Sequence, residues 1–217
     1  MNIEQARFNM IEQQIRPWDV LDAEVLRLLA VVKREDFVPL AHKALAFADL
    51  EIPLGHGQCM LAPRVEARML QDAAVQPHEK VLEIGAGSGY MAALLAHQAQ
   101  RVITLEIDPA LADMARANLQ KAGVDNAEVR VFDGAKGTSG EAPFDVIVAS
   151  GSVAEVPPSL LAQLKIGGRL VIVVGDDPVM RATVVTRNSD TSYTTVQPWD
   201  TVVPRLLNFP EPSHFKF

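Results

Sequence analysis

The sequence is poor in cysteine, with Cys59 as the single thiol among 217 residues. One thiol cannot form a disulfide within the chain, which is typical of proteins from a reducing compartment. No run of about 18 apolar residues is available to span a membrane. Residues 1–14 mix charged and apolar side chains, unlike a secretory signal. We therefore expect a cytoplasmic protein without a membrane partner.

A surplus of positive charge is also missing. The 20 Lys and Arg residues are outnumbered by 27 Asp and Glu residues, which gives a net charge of −7. This balance argues against a large surface for DNA or RNA. Hydrophobic residues make up 48% of the chain, enough for a substantial core. We predict one domain over residues 1–217, with an N-terminal helical segment and loop (1–63), a core (64–177) and a C-terminal hairpin and tail (178–217).

The N-terminal part, residues 2–49, follows a helical period. Apolar residues recur at three- and four-residue spacing until Pro17 ends the first run. A second helix is predicted after Asp22, which is a suitable N-cap. Residues 52–63 are rich in turn-forming residues and are predicted to be a loop. Pro63 then begins another helix.

From residue 80 onwards, short β-rich runs alternate with helices. Several runs are apolar almost throughout, as in strands that helices cover on both faces. Two further strands, residues 181–186 and 191–196, are close enough in sequence to pair as a hairpin. The pattern predicts an α/β fold with a doubly wound, mostly parallel sheet and a C-terminal antiparallel hairpin. The predicted parallel strands are Lys80–Ile84, Arg101–Leu105, Glu128–Phe132, Phe144–Ala149 and Arg169–Val174.

A glycine-rich turn follows the first of these strands and precedes a helix. Glycine lets the chain turn sharply and lets a ligand approach bare amides, and the helix N-terminus attracts an anion. A dinucleotide motif would need its third glycine at position 90, which is occupied by Tyr90. The spacing instead resembles the first motif of Rossmann-like methyltransferases, in which the anion is the methionine carboxylate of S-adenosylmethionine. The residues are Glu83, Gly85, Ala86, Gly87, Ser88 and Gly89.

Acidic residues also follow the next two strands. Glu106-Ile107 ends the second strand, where a carboxylate can accept hydrogen bonds from both hydroxyls of a ribose. Asp133-Gly134 follows the third strand and is expected to meet the adenine edge. A single such carboxylate is usually a helix cap, but three features at successive strand ends favour a cofactor site. Glu83 either belongs to this site or holds the amides of the glycine turn.

Further segments resemble the protein-L-isoaspartate O-methyltransferase family over most of the chain. The resemblance implies a class I methyltransferase fold with S-adenosylmethionine as the cofactor. It also implies transfer of a methyl group to the carboxylate of isoaspartyl residues in damaged proteins or peptides. No nucleic-acid partner is expected, and the oligomeric state stays open. The matching segments are Arg34–Pro39, Ile52–Gln58, Val81–Tyr90, Asn126–Gly134, Pro143–Val148 and Leu164–Leu170.

The substrate loop departs from the family pattern. Family members usually continue Gly-Gln with Thr-Ile-Ser, whereas this chain has Cys59-Met60-Leu61 after Gln58. The resemblance places Gln58, Cys59 and Leu61 on the catalytic side of the site. Leu61 cannot form a hydrogen bond and a thiol forms a weak one, so the loss could cost about 1.5–3 kcal/mol. A small-molecule acceptor and a non-catalytic, cofactor-binding role therefore stay open as alternatives.

An obvious acid–base pair is absent as well. A carboxylate acceptor is already ionised at neutral pH, so alignment alone can supply much of the rate. Ser150 and Ser152, after the fourth strand, would either compensate for Leu61 or suit another acceptor. His56 has no ligand neighbours for a metal and is expected to form structural hydrogen bonds in a loop that could act as a lid. Cys59 is expected to be an inert, packed thiol.

Overall fold

The computed structural model describes residues 2–138 and 140–212. Its strands are β1 (Ile52–Gly55), β2 (Gln58–Met60), β3 (Lys80–Ile84), β4 (Arg101–Glu106), β5 (Ala127–Val131), β6 (Phe144–Val153), β7 (Leu164–Asp176), β8 (Val179–Arg187) and β9 (Tyr193–Asp200). Its α-helices are α1 (Ile3–Met10), α2 (Ala23–Val31), α3 (Pro63–Ala73), α4 (Tyr90–Gln98), α5 (Pro109–Lys121) and α6 (Pro158–Leu161). The order of the elements agrees with the alternating strands and helices predicted from the sequence.

The main sheet has seven strands in the order β5-β4-β3-β6-β7-β8-β9. The first five strands of this order are parallel to one another, and β8 is antiparallel to both β7 and β9. The doubly wound, mostly parallel sheet with its C-terminal antiparallel hairpin is therefore confirmed. The last strand lies later than predicted, because Trp199 pairs with Ala182 and its indole donates a 2.7 Å hydrogen bond to Asp72 of α3.

Helices cover both faces of this sheet. Val81 and Val102 pack on one face in a core with residues of α2, α3, α4 and α5. Their neighbours Leu82 and Ile103 pack on the other face in a core that includes Leu160 of α6. Because successive side chains point to opposite faces of a strand, both members of each pair must be apolar. This explains the nearly continuous apolar runs in the sequence.

The N-terminal helices begin at polar caps. Asn2 accepts a 3.2 Å hydrogen bond from the Gln5 amide at the start of α1, and Asp22 accepts from the amides of Glu24 and Val25 at the start of α2. The cap predicted at Asp22 is confirmed. None of the helices within the two described ranges is both long and apolar enough to cross a membrane.

The prediction of a loop over residues 52–63 is wrong for its first part. β1 and β2 form a two-stranded antiparallel hairpin, with Ile52 opposite Met60. Ile52, Leu54 and Met60 are all buried, and this alternation was hidden by the glycines and prolines around it. Pro63 begins α3, as predicted.

The fourth parallel strand is also longer than predicted. β6 continues past Ala149, after a shift in register between Val148 and Ser152. The extension exists because the tail runs beside it: Ser152 N donates to Pro204 O and Leu206 N donates to Ser152 O, both at 2.8 Å. Ser150 and Ser152, which we predicted to follow the strand, therefore lie within it.

Gly89 lies where α4 packs closely on α5, with φ at 85°. A Cβ at this position would lie 3.2 Å from the Ala115 backbone. We expect the backbone strain in Gly89→Ala to lower the free energy of unfolding by about 1–3 kcal/mol. The steric contact with Ala115 should lower it further. Gly123→Ala is the matched control, because its φ is 71° and nothing lies within 4 Å. Urea unfolding measures both, and equal losses would contradict the close packing of the two helices.

Candidate functional site

A cleft lies at the carboxyl ends of β3, β4, β5 and β6. The strand order reverses at β3, whose neighbours β4 and β6 leave in opposite directions, and ligands of open α/β sheets bind at such a switch point. The outer cavity of this cleft holds eight of the predicted site residues, together with Ser150 and residues of the tail. The eight are Gln58, Cys59, Gly85, Gly87, Glu106, Ile107, Asp133 and Gly134.

A smaller inner cavity adjoins the outer one beneath the β1–β2 hairpin. Of the predicted site residues, Leu61, Glu83, Ala86 and Ser88 line only this inner cavity. The remaining member of the glycine turn, Gly89, lines neither of the two cavities, because it is packed against α5.

The glycine turn is held by the second strand. Gly85 N donates to Leu105 O at 2.8 Å, and Gly87 N donates to the Glu106 carboxylate at 2.8 Å. A Cβ on Gly87 would lie 3.1 Å from Leu54 of the hairpin. Close approach of the hairpin therefore requires the absence of a side chain at position 87.

Glu106 joins the glycine turn to the start of α5. One carboxylate oxygen accepts the Gly87 amide and the other accepts the Asp108 amide at 3.1 Å. The side chain is buried at the base of the outer cavity. Each carboxylate oxygen has two lone pairs, so both can accept a further hydrogen bond from a ligand.

Glu83 is fully buried and does not hold the amides of the glycine turn, so that alternative is wrong. Its carboxylate instead accepts hydrogen bonds from Thr104 Oγ1 at 2.6 Å and Ser150 Oγ at 2.9 Å. Burial, with smaller contributions from the charges of Glu66 and Glu106, raises the pKa of Glu83 to about 8 despite these two bonds. Glu83 is thus mostly protonated at neutral pH.

The tail supplies a wall of the cleft that sequence reasoning missed. Leu206, Leu207 and Phe209 line the outer cavity. Asn208 Nδ2 donates to Asp133 Oδ2 at 3.1 Å, which fixes the tail against the end of β5. The apolar residues after the last predicted strand indicate a buried segment. They do not show where it packs, because their partners are about 50 residues or more away in sequence.

The hairpin crosses the mouth of the cleft. His56 Nδ1 lies 2.8 Å from Asp108 Oδ2 at the start of α5, which agrees with the predicted structural hydrogen bond. Cys59 Sγ donates to the Glu51 carboxylate at 3.6 Å. Burial, and then the charge of Glu51, raise the pKa of this thiol to about 12. The thiol is thus un-ionised at neutral pH, as expected of an inert cysteine.

Leu61 is held through its backbone. The buried Arg34 donates to Leu61 O at 2.7 Å and to Ala46 O at 3.1 Å, and it pairs with the buried carboxylate of Glu66. Burial raises the pKa of Glu66 to about 7, against the lowering effect of Arg34. Leu61 and Tyr90 both line the inner cavity.

Within the described ranges, no group of three or more His, Cys, Asp or Glu residues is arranged to hold a metal ion. The polar residues that line the two cavities are instead Gln58, Cys59, Ser88, Tyr90, Ser150 and the acidic residues Glu66, Glu83, Glu106 and Asp133. Such groups suit an organic ligand with hydrogen-bonding hydroxyls and amines.

The fold is that of the Rossmann-like class I methyltransferases. A putative protein-L-isoaspartate O-methyltransferase from Plasmodium falciparum, solved with S-adenosyl-L-homocysteine, superposes with a TM-score of 0.78 at 20% identity, over 95% of this chain and 98% of that one. A second solved protein-L-isoaspartate O-methyltransferase gives a TM-score of 0.76 at 23% identity, over 91% of this chain and 65% of that one. These similarities establish the fold.

Sequence similarity identifies the family. Residues 5–203 match the family model of protein-L-isoaspartate(D-aspartate) O-methyltransferase. The chain is 42% identical to protein-L-isoaspartate O-methyltransferase 2 of Polaromonas sp., over 82% of this chain and 84% of the relative. It is 44% identical to protein-L-isoaspartate O-methyltransferase 1 of Syntrophobacter fumaroxidans, over 81% and 82%. The chain therefore belongs to the protein-L-isoaspartate O-methyltransferase family.

The buried carboxyls predict a stability that falls as pH rises. Glu83 has a folded-state pKa of about 8 against an ordinary value of 4.5, so the folded state binds its proton more tightly than the unfolded state. Its contribution is fully present below about pH 4.5 and is lost as pH approaches about 8. Since one pKa unit corresponds to about 1.4 kcal/mol, we expect a loss of a few kcal/mol over this range. Urea titrations at several pH values measure it.

Glu83→Gln should flatten much of this slope, because an amide does not ionise. Glu128→Gln is the control, since its Arg130 and Arg101 partners hold the pKa of Glu128 at about 2, outside the window. An unchanged slope in Glu83→Gln would contradict the assignment to Glu83 and leave Glu66, with its pKa of about 7, as the source.

Proposed function

We propose that this chain is an S-adenosylmethionine-dependent O-methyltransferase that acts on the carboxylates of isoaspartyl residues in proteins and peptides. The observation that carries this proposal is the family match over residues 5–203. The glycine turn, Glu106 and Asp133 support it, because they surround one cleft at the ends of three adjacent strands.

The cleft fits the cofactor, and its residues suggest how each part would be held. The turn Gly85–Gly89, with Ala86 and Ser88 within it, offers bare backbone to the methionine part. Glu106 has lone pairs left for ribose hydroxyls, while Ile107 and Phe132 offer apolar surface to the adenine. Asp133 and Gly134 would meet the adenine edge. When bound, S-adenosylmethionine would supply a methyl group on a positively charged sulfur, which the acceptor carboxylate would take as a methyl ester while the carbon–sulfur electron pair stays on sulfur.

We place the methyl acceptor between the hairpin and the glycine turn, where Gln58, Cys59 and Leu61 lie. The site needs no general base, because the acceptor is an ionised carboxylate. The buried Arg34 fixes the backbone of Leu61 and so the shape of this wall. The apolar side chain of Leu61 favours, as a second candidate, a small-molecule acceptor.

The test is methyl transfer from radiolabelled S-adenosylmethionine to an isoaspartyl peptide, with the matching aspartyl peptide as the control. We expect selective labelling of the isoaspartyl peptide. A protein that binds S-adenosylhomocysteine but labels neither peptide would overturn the proposed substrate. That result would favour the small-molecule acceptor or a non-catalytic role, and a gain of labelling in Leu61→Ser would assign the defect to the missing hydroxyl.

Glu106→Gln tests the cofactor half of the site. We expect the Kd for S-adenosylhomocysteine, measured by calorimetry, to rise about 10- to 100-fold, because hydrogen bonds to a charged acceptor are worth about 1.5–3 kcal/mol. Glu128→Gln, which removes an exposed carboxylate from the same sheet, should leave this Kd unchanged. An unchanged Kd in Glu106→Gln would place the ribose elsewhere.

A further inference from the structure

We propose that the Ser150 hydroxyl donates the hydrogen bond that holds the methyl-accepting carboxylate, in place of the hydroxyl that Leu61 lacks. This inference rests on the proposed function and names a substrate-contacting residue within it. Sequence reasoning left open whether Ser150 or Ser152 takes this part and whether either does.

Ser150 lies where the outer and inner cavities meet. Four residues line both cavities: Cys59, Gly85, Gly87 and Ser150. A Cβ placed on Gly85 would lie 3.7 Å from Ser150 Cβ and 3.6 Å from Ser150 O, so Ser150 lies directly against the glycine turn. With the adenosyl part of the cofactor in the outer cavity and its methionine part against the glycine turn, we expect the methyl group to lie close to this junction.

Ser150 supplies the only hydroxyl among those four shared residues. Cys59 is a weak donor and its thiol already faces Glu51. Ser152 is fully buried and its hydroxyl donates to Val203 O at 2.9 Å, so it serves the tail. The register shift between Val148 and Ser152 leaves Ser150 outside the regular pairing of β6 with β7. Its half-buried side chain is therefore free to face the cleft.

The contact with Glu83 decides whether Ser150 has a hydrogen to give. The Glu83 carboxyl forms two hydrogen bonds, one with the Thr104 hydroxyl and one with the Ser150 hydroxyl. When Glu83 is ionised, both hydroxyl hydrogens point to it. When Glu83 is neutral, its own proton serves one contact and one hydroxyl hydrogen is released. Thr104 is fully buried, so the released hydrogen belongs to Ser150, which faces the cavity.

The surroundings of Glu83 favour its neutral form. Burial is the largest cause, and the charges of Glu66 on α3 and Glu106 at the end of β4 act in the same direction. The buried cation Arg34 is paired with Glu66. A neutral Glu83 also avoids repulsion of an incoming carboxylate. Activity is therefore expected to fall as pH rises through about 8, the pKa of Glu83.

Steady-state kinetics of Ser150→Ala test the proposal. We expect kcat/KM for the isoaspartyl peptide to fall about 10- to 100-fold, the value of a hydrogen bond to a charged group. Ser150→Thr keeps the hydroxyl and should keep most of the activity. Calorimetry separates substrate from cofactor: peptide binding to protein saturated with S-adenosylhomocysteine should weaken by a similar factor, while the Kd for S-adenosylhomocysteine itself should not change.

Two further variants test the chemistry. Leu61→Ser introduced into Ser150→Ala should restore part of the lost kcat/KM, because it returns a hydroxyl to the inner cavity. Glu83→Gln should lose a smaller fraction of its own pH 7 activity at pH 9 than the unsubstituted protein does. Labelling of the isoaspartyl peptide by the unsubstituted protein, with Ser150→Ala matching it in kcat/KM and peptide affinity, would overturn this inference alone. Absence of labelling by the unsubstituted protein would overturn it together with the proposed function.

Discussion

The site depends on the pairing of β3 with a parallel neighbour on each side. This pairing brings the ends of β3, β4 and β6 together, and it sets Glu83 directly opposite Thr104. The end of β3 then contributes the glycine turn, the end of β4 contributes the Glu106 carboxylate, and the register shift within β6 contributes the Ser150 hydroxyl. Because parallel strands share a direction, these groups meet at one edge of the sheet although they are distant in sequence.

The N-terminal segment is attached to this framework by buried charge. Arg34 has no exposed surface, yet it is satisfied by Glu66 and by the carbonyls of Leu61 and Ala46. A buried ion pair is weak support for stability but fixes geometry, because either partner left alone would be costly. The same guanidinium lies 5.1 Å from the centre of the Tyr90 ring at the start of α4. The Arg34 side chain thus contacts both Leu61, beside the proposed acceptor site, and Tyr90, which begins α4 after the glycine turn.

The sequence was sufficient for features that depend on local pattern. The strand–turn–helix at Gly85–Gly89, the cap at Asp22 and the antiparallel end of the sheet needed only spacing and residue type. The β1–β2 hairpin is local but was missed, because the glycines and prolines around it hide its alternation. Features that depend on distant contacts were missed as well: the extension of β6 and the partners of Glu83. The tail could not be placed because its contacts with Ser152 and Asp133 cross 50 or more residues. The roles of the individual site residues stay predictions. So do the single domain over residues 1–217 and the cytoplasmic location.

The position of the tail determines when the cleft is completed during synthesis of the chain. Residues 203–209 follow every strand of the described ranges, yet three of them, Leu206, Leu207 and Phe209, form one wall of the cleft, and Asn208 bonds to Asp133. Because chains are synthesised from the N-terminus, a nascent chain on the ribosome can pair its whole sheet before this wall emerges. A ligand that contacts this wall therefore gains those contacts, and the stability that they add, only after residues 203–209 have left the ribosome.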